Sequence, residues 1–242
     1  MEVIIAMAGR GSRFADAGWT TPKPLIPVGG VPMYALAVRG LPLDPIDHLV
    51  FVALNEQLDS GLAESIATEF GPNASIIALD DVTEGQAVTV LRGLPATDPT
   101  RPLLIHNADT VCTFARSELA TDADGALVVF EAEGTHWSFA RRGEGRSVVE
   151  VAEKRRISGW ASTGTYWFRS GALFAELAQA ALAGQPVTGG EYYVAPLYDD
   201  LLRQGGRVEA IEATSVDVLG TPAELDAYLA RLAEAASPKK SR

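Results

Sequence analysis

The sequence predicts one mixed α/β domain, in which a mainly parallel sheet is flanked by helices and a second part is antiparallel. Four short apolar runs that alternate with helical segments predict the parallel sheet: 3–7, 48–54, 74–79 and 102–106. After residue 124, strand-like segments joined by glycine-containing turns are typical of antiparallel pairing: 126–132, 137–141, 147–152 and 161–168. No repeat or Ser/Gly-rich linker divides the chain, so a single domain over 1–236 is expected.

Helix signals fill the spaces between these strands. Asn55 is expected to cap the second helix, and Thr221 the last one, with Pro222 at its first position. A final strand is predicted at 207–213. The predicted helices are 33–40, 55–70, 86–94, 171–183, 191–204 and 222–235.

The charge balance excludes some classes of partner. The chain has 31 acidic and 20 basic residues and a net charge of −11, whereas a nucleic-acid-binding protein needs a basic face. No apolar stretch is long enough to span a membrane and no signal peptide is visible, so a cytoplasmic protein without a membrane partner is expected. The single cysteine, Cys112, excludes an internal disulfide and is expected to be buried.

The stretch after the first strand has the composition of a phosphate-binding loop. Ala8, Gly9 and Gly11 let backbone N–H groups approach phosphate oxygens closely, and successive N–H groups form an anion-binding nest. Arg13 adds a planar fork of donors, and Lys23, held between two prolines, adds a point charge. The alternative is a plain tight turn, and the two spaced cations favour the phosphate loop over it.

Two other phosphate motifs do not fit this stretch. The dinucleotide-binding fingerprint needs a third glycine where Phe14 stands. A Walker loop needs a Gly-Lys-Ser/Thr sequence, which does not occur here.

An ordered pair of motifs carries a resemblance to a known family. AMAGRGSRF followed by PKPLIPVGGVPM resembles the N-terminal signature of the nucleotidyltransferases, the pyrophosphorylases that make nucleoside-diphosphate sugars and related compounds. The resemblance implies a Rossmann-like nucleotidyltransferase fold, with a nucleotide-binding half over about 1–124 and an acceptor-binding half over about 125–236. The basic tail, 237–242, is expected to be frayed and has no assigned function.

The resemblance also implies a magnesium site. Asp109 ends the fourth strand, and a carboxylate there suits Mg²⁺, which takes only one or two protein carboxylates. The family commonly has Gly before this residue, where the chain has Ala108. Asp217 precedes Gly-Thr-Pro and resembles the second metal carboxylate, so the two acids together would hold Mg²⁺. The alternative for Asp109 is a loop cap.

Further nucleotide contacts follow from the resemblance. Gln86 offers a donor and an acceptor suited to a base edge, and Gly85 permits close backbone approach. A glutamine is also ordinary in a first helical turn, which is the alternative for Gln86. The expected nucleotide-binding residues are Ala8, Gly9, Gly11, Ser12, Arg13, Lys23, Glu84, Gly85, Gln86 and Asn107.

The second half is expected to hold the acceptor. In the family a Glu-Lys pair and a following glycine contact the acceptor, and strand alternation favours Lys154 over its cationic neighbours. The expected acceptor-binding residues are Glu153, Lys154, Gly164, Thr165 and Glu191, and the expected catalytic residues are Arg13, Lys23 and Lys154. His106 is expected in the core. Pocket and core both stay open for four aromatic residues: His136, Trp137, Tyr192 and Tyr193.

A narrower resemblance covers nearly the whole chain. TEGQAVTVL, HWSFA, VVEVAEKRRIS, STGTYWF, GEYYVAPLYDDLL and LGTPAEL resemble a bacterial subfamily tied to capsule and surface polysaccharides, which includes CTP:phosphoglutamine cytidylyltransferase. This resemblance implies transfer of a nucleotidyl group from a nucleoside triphosphate, with CTP as the preferred donor, to phosphoglutamine or a similar small phosphorylated acceptor. It is also compatible with a homodimer. The alternatives are a sugar 1-phosphate acceptor with UTP, dTTP or GTP, a glycosyltransferase, and a non-catalytic nucleotide sensor.

Overall fold

The computed structural model describes residues 1–184 and 190–236, so the basic tail predicted at 237–242 lies outside the described residues. The strands are β1 (Glu2–Ala6), β2 (Pro27–Val28), β3 (Val31–Pro32), β4 (His48–Leu54), β5 (Ala74–Leu79), β6 (Leu103–Asn107), β7 (Thr110–Thr113), β8 (Gly125–Glu131), β9 (Ser138–Arg142), β10 (Val148–Glu153), β11 (Trp160–Phe168), β12 (Val208–Glu212) and β13 (Ser215–Val218). The helices are α1 (Ser12–Asp16), α2 (Met33–Arg39), α3 (Asn55–Gln57), α4 (Ala63–Phe70), α5 (Gln86–Gly93), α6 (Gly171–Leu182), α7 (Pro196–Arg203) and α8 (Pro222–Ala236). Within these described ranges no helix has the length and apolar character that a membrane crossing requires.

The central sheet is mixed, which confirms the predicted fold class. Its strands lie in the order β5-β4-β1-β6-β11-β8-β12, and β9 and β10 extend it beside the first part of β11. β1 pairs in parallel with both β4 and β6, whereas β11 runs antiparallel to β6 and β8. The four strands predicted as parallel and the four predicted as antiparallel pair in those ways with each other, and β12 pairs in parallel with β8.

Both faces of the sheet are buried against helices. Along β1, Ile4 packs in one core cluster with Val90 of α5, whereas Val3 and Ile5 pack in another with Val38 of α2. Successive side chains of a strand point to opposite faces, so each cluster occupies one side of the sheet. This two-sided burial explains why the parallel strands are unbroken apolar runs in the sequence.

The helix predicted over 55–70 is interrupted. Gly61 adopts a left-handed backbone (φ 96°) inside a π-helical turn, and this turn separates α3 from α4. Asn55 does not cap the helix, because Leu54 holds the cap position. The Asn55 side chain instead donates a hydrogen bond to Asp80 at 2.8 Å.

Other differences concern where elements begin and how short they are. α7 begins at Pro196 rather than at residue 191, since proline suits the first helical position and has no N–H for a helical hydrogen bond. The β2–β3 hairpin and the antiparallel pair of β7 with β13 were not predicted, because strands of two to four residues show no usable periodicity. Thr221 caps α8 as predicted, since its hydroxyl accepts from the Glu224 N–H at 3.3 Å.

A buried carboxylate holds the edge of the sheet where the strands begin. Asp47, 1% exposed, accepts hydrogen bonds from Arg116 at 2.6 Å and from the Met1 ammonium at 2.8 Å. Burial alone would raise the pKa of Asp47, but these hydrogen bonds outweigh it and lower the pKa to about 2. This edge therefore stabilises the fold through paired charge.

Replacing Asp47 by Asn should lower the free energy of unfolding by about 2 kcal/mol at pH 7, because charge-assisted hydrogen bonds are lost. Asp47 has a lower pKa in the folded state, so its stabilisation is present above about pH 4 and disappears as the pH falls towards 2. In urea unfolding, the difference between the wild type and the variant should therefore shrink below about pH 4. Arg39→Met, which breaks an exposed ion pair with Glu69, is the control and should change the free energy of unfolding little at any pH. Equal losses in both variants would contradict this role of Asp47.

Candidate active site

Two neighbouring strands bring the first site residues to one place. β1 and β6 pair in parallel with Ala6 opposite Asn107. The chain therefore leaves both strands at the same edge of the sheet, where the loop 8–11 follows β1 and Asp109 follows β6. Ligands of open α/β sheets bind beyond this carboxyl edge.

The predicted phosphate loop presents a run of unused backbone donors. Gly11 is left-handed (φ 64°, ψ 33°), and α1 begins directly after it. Within the described part of the chain, the N–H groups of residues 9–13 donate to no acceptor, whereas those of Phe14 and Ala15 bond to the Gly11 carbonyl oxygen. A left-handed residue followed by a helical one aims successive N–H groups at one point and so forms an anion-binding nest.

The two predicted cations of this region differ in their pairing. The Lys23 ammonium forms an ion pair with Asp109 and donates to the Gly220 carbonyl oxygen at 3.3 Å. The loop packs on Lys23, because a Cβ at Gly11 would lie 2.8 Å from the Lys23 Cβ. Arg13 is exposed and forms no ion pair with any residue that the structure describes. Lys23 therefore ties the loop to the end of β6, and the Arg13 charge is available to a ligand.

The two predicted metal carboxylates have different partners. Asp217 accepts a hydrogen bond from Arg231 of α8 at 2.5 Å. Asp109 Oδ2 and Glu224 Oε2 both lie beside Gly220, since a Cβ on that glycine would lie 3.4 Å from each oxygen. Among residues 1–184 and 190–236, no group of three or more His, Cys, Asp or Glu side chains could hold a metal. Oxygen donors of this kind still suit Mg²⁺, which needs only one or two carboxylates.

Asn107 brings predicted nucleotide and acceptor residues into contact. Gln86, the first residue of α5, donates from Nε2 to Asn107 Oδ1. Gly164 of β11 has a φ of 82°, and a Cβ there would lie 2.0 Å from Asn107 Nδ2. Only glycine meets both the backbone and the space requirement at this position.

Gly85 permits a close backbone approach, as predicted, but the partner is another part of this chain. A Cβ at Gly85 would lie 2.5 Å from the Tyr192 carbonyl oxygen. Tyr192 also donates its N–H to the Glu84 carbonyl oxygen at 2.8 Å and accepts from the Ala87 N–H at 2.9 Å. Packing against Tyr192 therefore accounts for this glycine without a nucleotide base.

Lys154 lies just past the end of β10. We expected strand alternation to set the direction of its side chain, but a residue outside the strand is not subject to that alternation. Among the non-glycine residues that the structure describes, it alone has a left-handed backbone (φ 51°), and such strain is common at functional sites. Its ammonium donates to the Tyr193 hydroxyl at 2.6 Å, and this bond raises the pKa of Lys154. Tyr193 in turn donates to Glu191. These contacts bring two expected acceptor residues together.

Glu153 lies beside Lys154 at the end of β10. It accepts a hydrogen bond from the Ser138 hydroxyl, and burial raises its pKa. A carboxylate in this position accepts hydrogen bonds from hydroxyl or ammonium groups. The acceptor side thus combines a cation with a partly buried acid.

Thr165 is a correction to the expected acceptor set. It is fully buried, and its hydroxyl is hydrogen-bonded to His106 Nδ1 at 2.8 Å and lies 3.2 Å from Cys112 Sγ. Burial lowers the pKa of His106 to about 4, so this histidine is neutral in the core, as predicted. Cys112 is also buried as predicted. Thr165 therefore supports β6, β7 and β11 from inside the core.

Of the four aromatic residues left open, Tyr193 lies beside Lys154 and Tyr192 packs on the core. The Lys154 ammonium lies 4.7 Å from the ring centroid of Tyr193, which therefore lines the expected acceptor side. Tyr192 packs against the main core cluster. His136 and Trp137 contact each other with ring centroids 4.3 Å apart, and His136 is exposed.

Two residues lie at the predicted site without having been predicted. Gln57 donates to the Gly9 carbonyl oxygen at 2.8 Å, and Glu224 Oε2 lies beside Gly220, as Asp109 Oδ2 does. Each stands three residues after a helix cap position. Gln57 and Gly9, like Glu224 and Asp109, are far apart in the sequence, so a local pattern does not place them at one site.

The fold and the phosphate loop define a nucleotidyltransferase. Within that class, the chain belongs to the family of MobA-like NTP transferase domains, whose model matches residues 3–212. It is accordingly an enzyme of the nucleotide-transferring type.

Individual relatives agree with this family. The chain is 31% identical over 225 residues to the bifunctional protein GlmU of Kineococcus radiotolerans. The aligned region covers 86% of this chain but only 44% of that protein, so the chain spans less than half of its length. A nucleoside-diphosphate-sugar pyrophosphorylase from Vibrio cholerae RC9 superposes with a TM-score of 0.83 at 30% identity, over 95% of this chain and 100% of that one. The inositol-1-phosphate CTP transferase from T. maritima shares the fold, with a TM-score of 0.74 at 16% identity over 98% and 97% of the two chains. The capsule-associated subfamily stays a prediction.

Gly164→Ala should lower the free energy of unfolding more than Gly145→Ala, because its Cβ would overlap the Asn107 amide. Gly145 is a matched control, since its φ is 62° and a Cβ there would meet no atom within 4 Å. In both variants the left-handed backbone of an alanine should lower the free energy of unfolding by about 1 kcal/mol. At Gly164 the overlap should lower it by at least about 1 kcal/mol more. Urea unfolding measures the difference. Equal losses would show that the contact with Asn107 is no constraint.

Proposed function

We propose that this enzyme joins a nucleoside triphosphate to a small phosphorylated acceptor. An acceptor phosphate oxygen attacks the α-phosphorus in line, the bond from that phosphorus to the α–β bridging oxygen breaks, and pyrophosphate leaves with the electron pair. The observation that carries the proposal is the run of N–H groups at residues 9–13, which have no acceptor among the described residues and lie next to the Lys23–Asp109 pair. The acceptor phosphate is already an anion at neutral pH, so the step needs no general base.

Catalysis then consists of positioning and electrostatic stabilisation. We assign Arg13 and Lys23 to the triphosphate and the leaving pyrophosphate, and Lys154 to the acceptor phosphate. The raised pKa of Lys154 keeps it charged throughout the neutral range. Two polyanions repel each other, and cations on both sides of the reacting phosphorus lower that repulsion.

We assign a Mg²⁺ ion to Asp109, with Asp217 as the second carboxylate that the resemblance implies. The oxygens near Asp109, including the Gly220 carbonyl and the Glu224 carboxylate, are hard donors and fit this ion. A bound Mg²⁺ would neutralise charge on the phosphate oxygens. In this structure Asp217 Oδ1 pairs with Arg231.

CTP with phosphoglutamine or a similar compound is the substrate pair we propose from the narrower resemblance. A sugar 1-phosphate with UTP, dTTP or GTP has equal support, because similar structures carry the names nucleoside-diphosphate-sugar pyrophosphorylase and UDP-glucose pyrophosphorylase. In either case residues 1–124 would bind the nucleotide and 125–236 the acceptor. A homodimer and a cytoplasmic location remain predictions from the sequence.

A matrix of triphosphates against phosphorylated compounds tests the reaction. CTP, UTP, dTTP and GTP are each combined with phosphoglutamine and sugar 1-phosphates, with Mg²⁺ or with a chelator, and products are read by mass spectrometry. A nucleotidyl product with release of pyrophosphate supports the proposal. Sugar transfer would indicate a glycosyltransferase, and nucleotide binding without any turnover would indicate a sensor.

Lys23→Ala and Asp109→Ala should each reduce kcat by about 10²–10³-fold, because a charged contact in the transition state is worth about 2–4 kcal/mol. Both side chains lie at the edge of the sheet, so the circular dichroism spectrum should stay that of the wild type. Arg203→Ala, on the exposed face of α7, is the control and should retain activity. Pyrophosphate release is the measurement, and full activity in either site variant would reject these assignments.

Tyr193→Phe should raise the KM for the acceptor about fivefold and leave the KM for the triphosphate unchanged, since Lys154 loses one hydrogen bond. Tyr192→Phe removes the neighbouring hydroxyl, which lies 3.4 Å from the Gly184 carbonyl oxygen, and should change neither constant. Steady-state kinetics separate the two constants. A similar effect of both variants would show that Tyr193 has no particular role at the acceptor.

A further inference from the structure

The buried side-chain amide of Gln57 is hydrogen-bonded to the backbone of the phosphate loop. Gln57, 3% exposed, accepts a hydrogen bond at Oε1 from the Leu54 N–H at 3.0 Å. Its Nε2 donates to the Gly9 carbonyl oxygen at 2.8 Å. We propose that Gln57 is a positioning residue that orients the anion-binding N–H groups of the loop, an inference that rests on the proposed function.

The geometry of the peptide bond connects this contact to the nest. In a trans peptide the C=O of one residue and the N–H of the next point in opposite directions within one plane. Holding the Gly9 carbonyl towards Gln57 therefore aims the Arg10 N–H away from it. That N–H is one of the donors without an acceptor in the described chain, so the amide decides where it points.

Packing alone does not fix this peptide. A Cβ on Gly9 would meet no atom within 4 Å, so the surroundings of that residue are open. A cavity of about 200 Å³ lies beside the loop, and Arg10, Gly11 and Lys23 line it together with Glu56 and Gln57. A loop above a cavity can change its backbone direction, and a hydrogen bond from a rigid base restrains it.

The orientation of the Gln57 amide is itself determined by its two partners. Its oxygen faces an N–H donor at Leu54, so its nitrogen must face the Gly9 carbonyl oxygen. A carboxylate of the same size would keep the first bond but set two oxygens against each other at the second. Gln57→Glu therefore removes the loop contact while the side-chain volume stays almost unchanged.

The test compares Gln57→Glu with Gln179→Glu, which makes the same change on an exposed side chain of α6, outside the loop. Gln57→Glu should weaken pyrophosphate binding and raise the KM for the triphosphate about tenfold each, with the KM for the acceptor within about twofold. Gln179→Glu should leave the pyrophosphate affinity and both KM values within about twofold of the wild type. Titration calorimetry with inorganic pyrophosphate and steady-state kinetics provide these values.

Two outcomes would overturn the role of Gln57. One is wild-type affinity for pyrophosphate in Gln57→Glu, and the other is an equal rise in the KM values of triphosphate and acceptor, which would indicate general loss of structure. If Gln57→Glu does not fold, Gln57→Met, which lacks both hydrogen bonds without adding charge, takes its place with the same expected pattern. A wild-type enzyme that binds pyrophosphate without turnover would instead refute the proposed reaction and leave the Gln57 test intact, and one that binds no pyrophosphate would refute both.

Discussion

The parallel pairing of β1 with β6 is the constraint on which the rest of the site depends. Lys23 and Asp109 are 86 residues apart, and they meet because both strands deliver the chain to one edge of the sheet. The same pairing sets Asn107 opposite Ala6 and so within reach of Gln86. A slip of one residue would turn these side chains to the other face of the sheet. The core that fixes this register therefore also fixes the site.

Charge serves different purposes at the two edges of this sheet. Where the strands begin, Asp47 is buried between cations, and the result is stability. Where they end, Arg13 is exposed, and the N–H groups of residues 9–13 have no acceptor in the described chain. Unpaired donors do not stabilise a fold, since folded proteins pair nearly all their backbone groups. Their concentration in a chain of net charge −11 is explained by a ligand that is itself an anion.

The sequence predicted the parallel strands and the phosphate loop because both are local. An apolar run between turn residues has few alternatives, and the left-handed backbone at Gly11 depends on the residue type itself. Thr165 was misplaced because β11 is buried on both faces, so no alternation shows where a hydroxyl points. Gln57 and Glu224 were missed because only folding brings Gln57 to the loop and places Glu224 beside Gly220 with Asp109.

Adjacent residues of one segment connect the expected base side of the site to the expected acceptor side. The Tyr192 backbone packs against the loop at Gly85, and the hydroxyl of the next residue, Tyr193, accepts a hydrogen bond from the Lys154 ammonium. In-line attack tolerates little misplacement of the reacting groups, so in the proposed reaction this segment would keep both substrates aligned. In that reaction the direction of attack depends on backbone contacts, and acceptor choice on side chains around β10. Enzymes that share this sheet can therefore differ in acceptor while they keep one reaction, because the fold fixes the phosphate edge and leaves the acceptor wall free to vary.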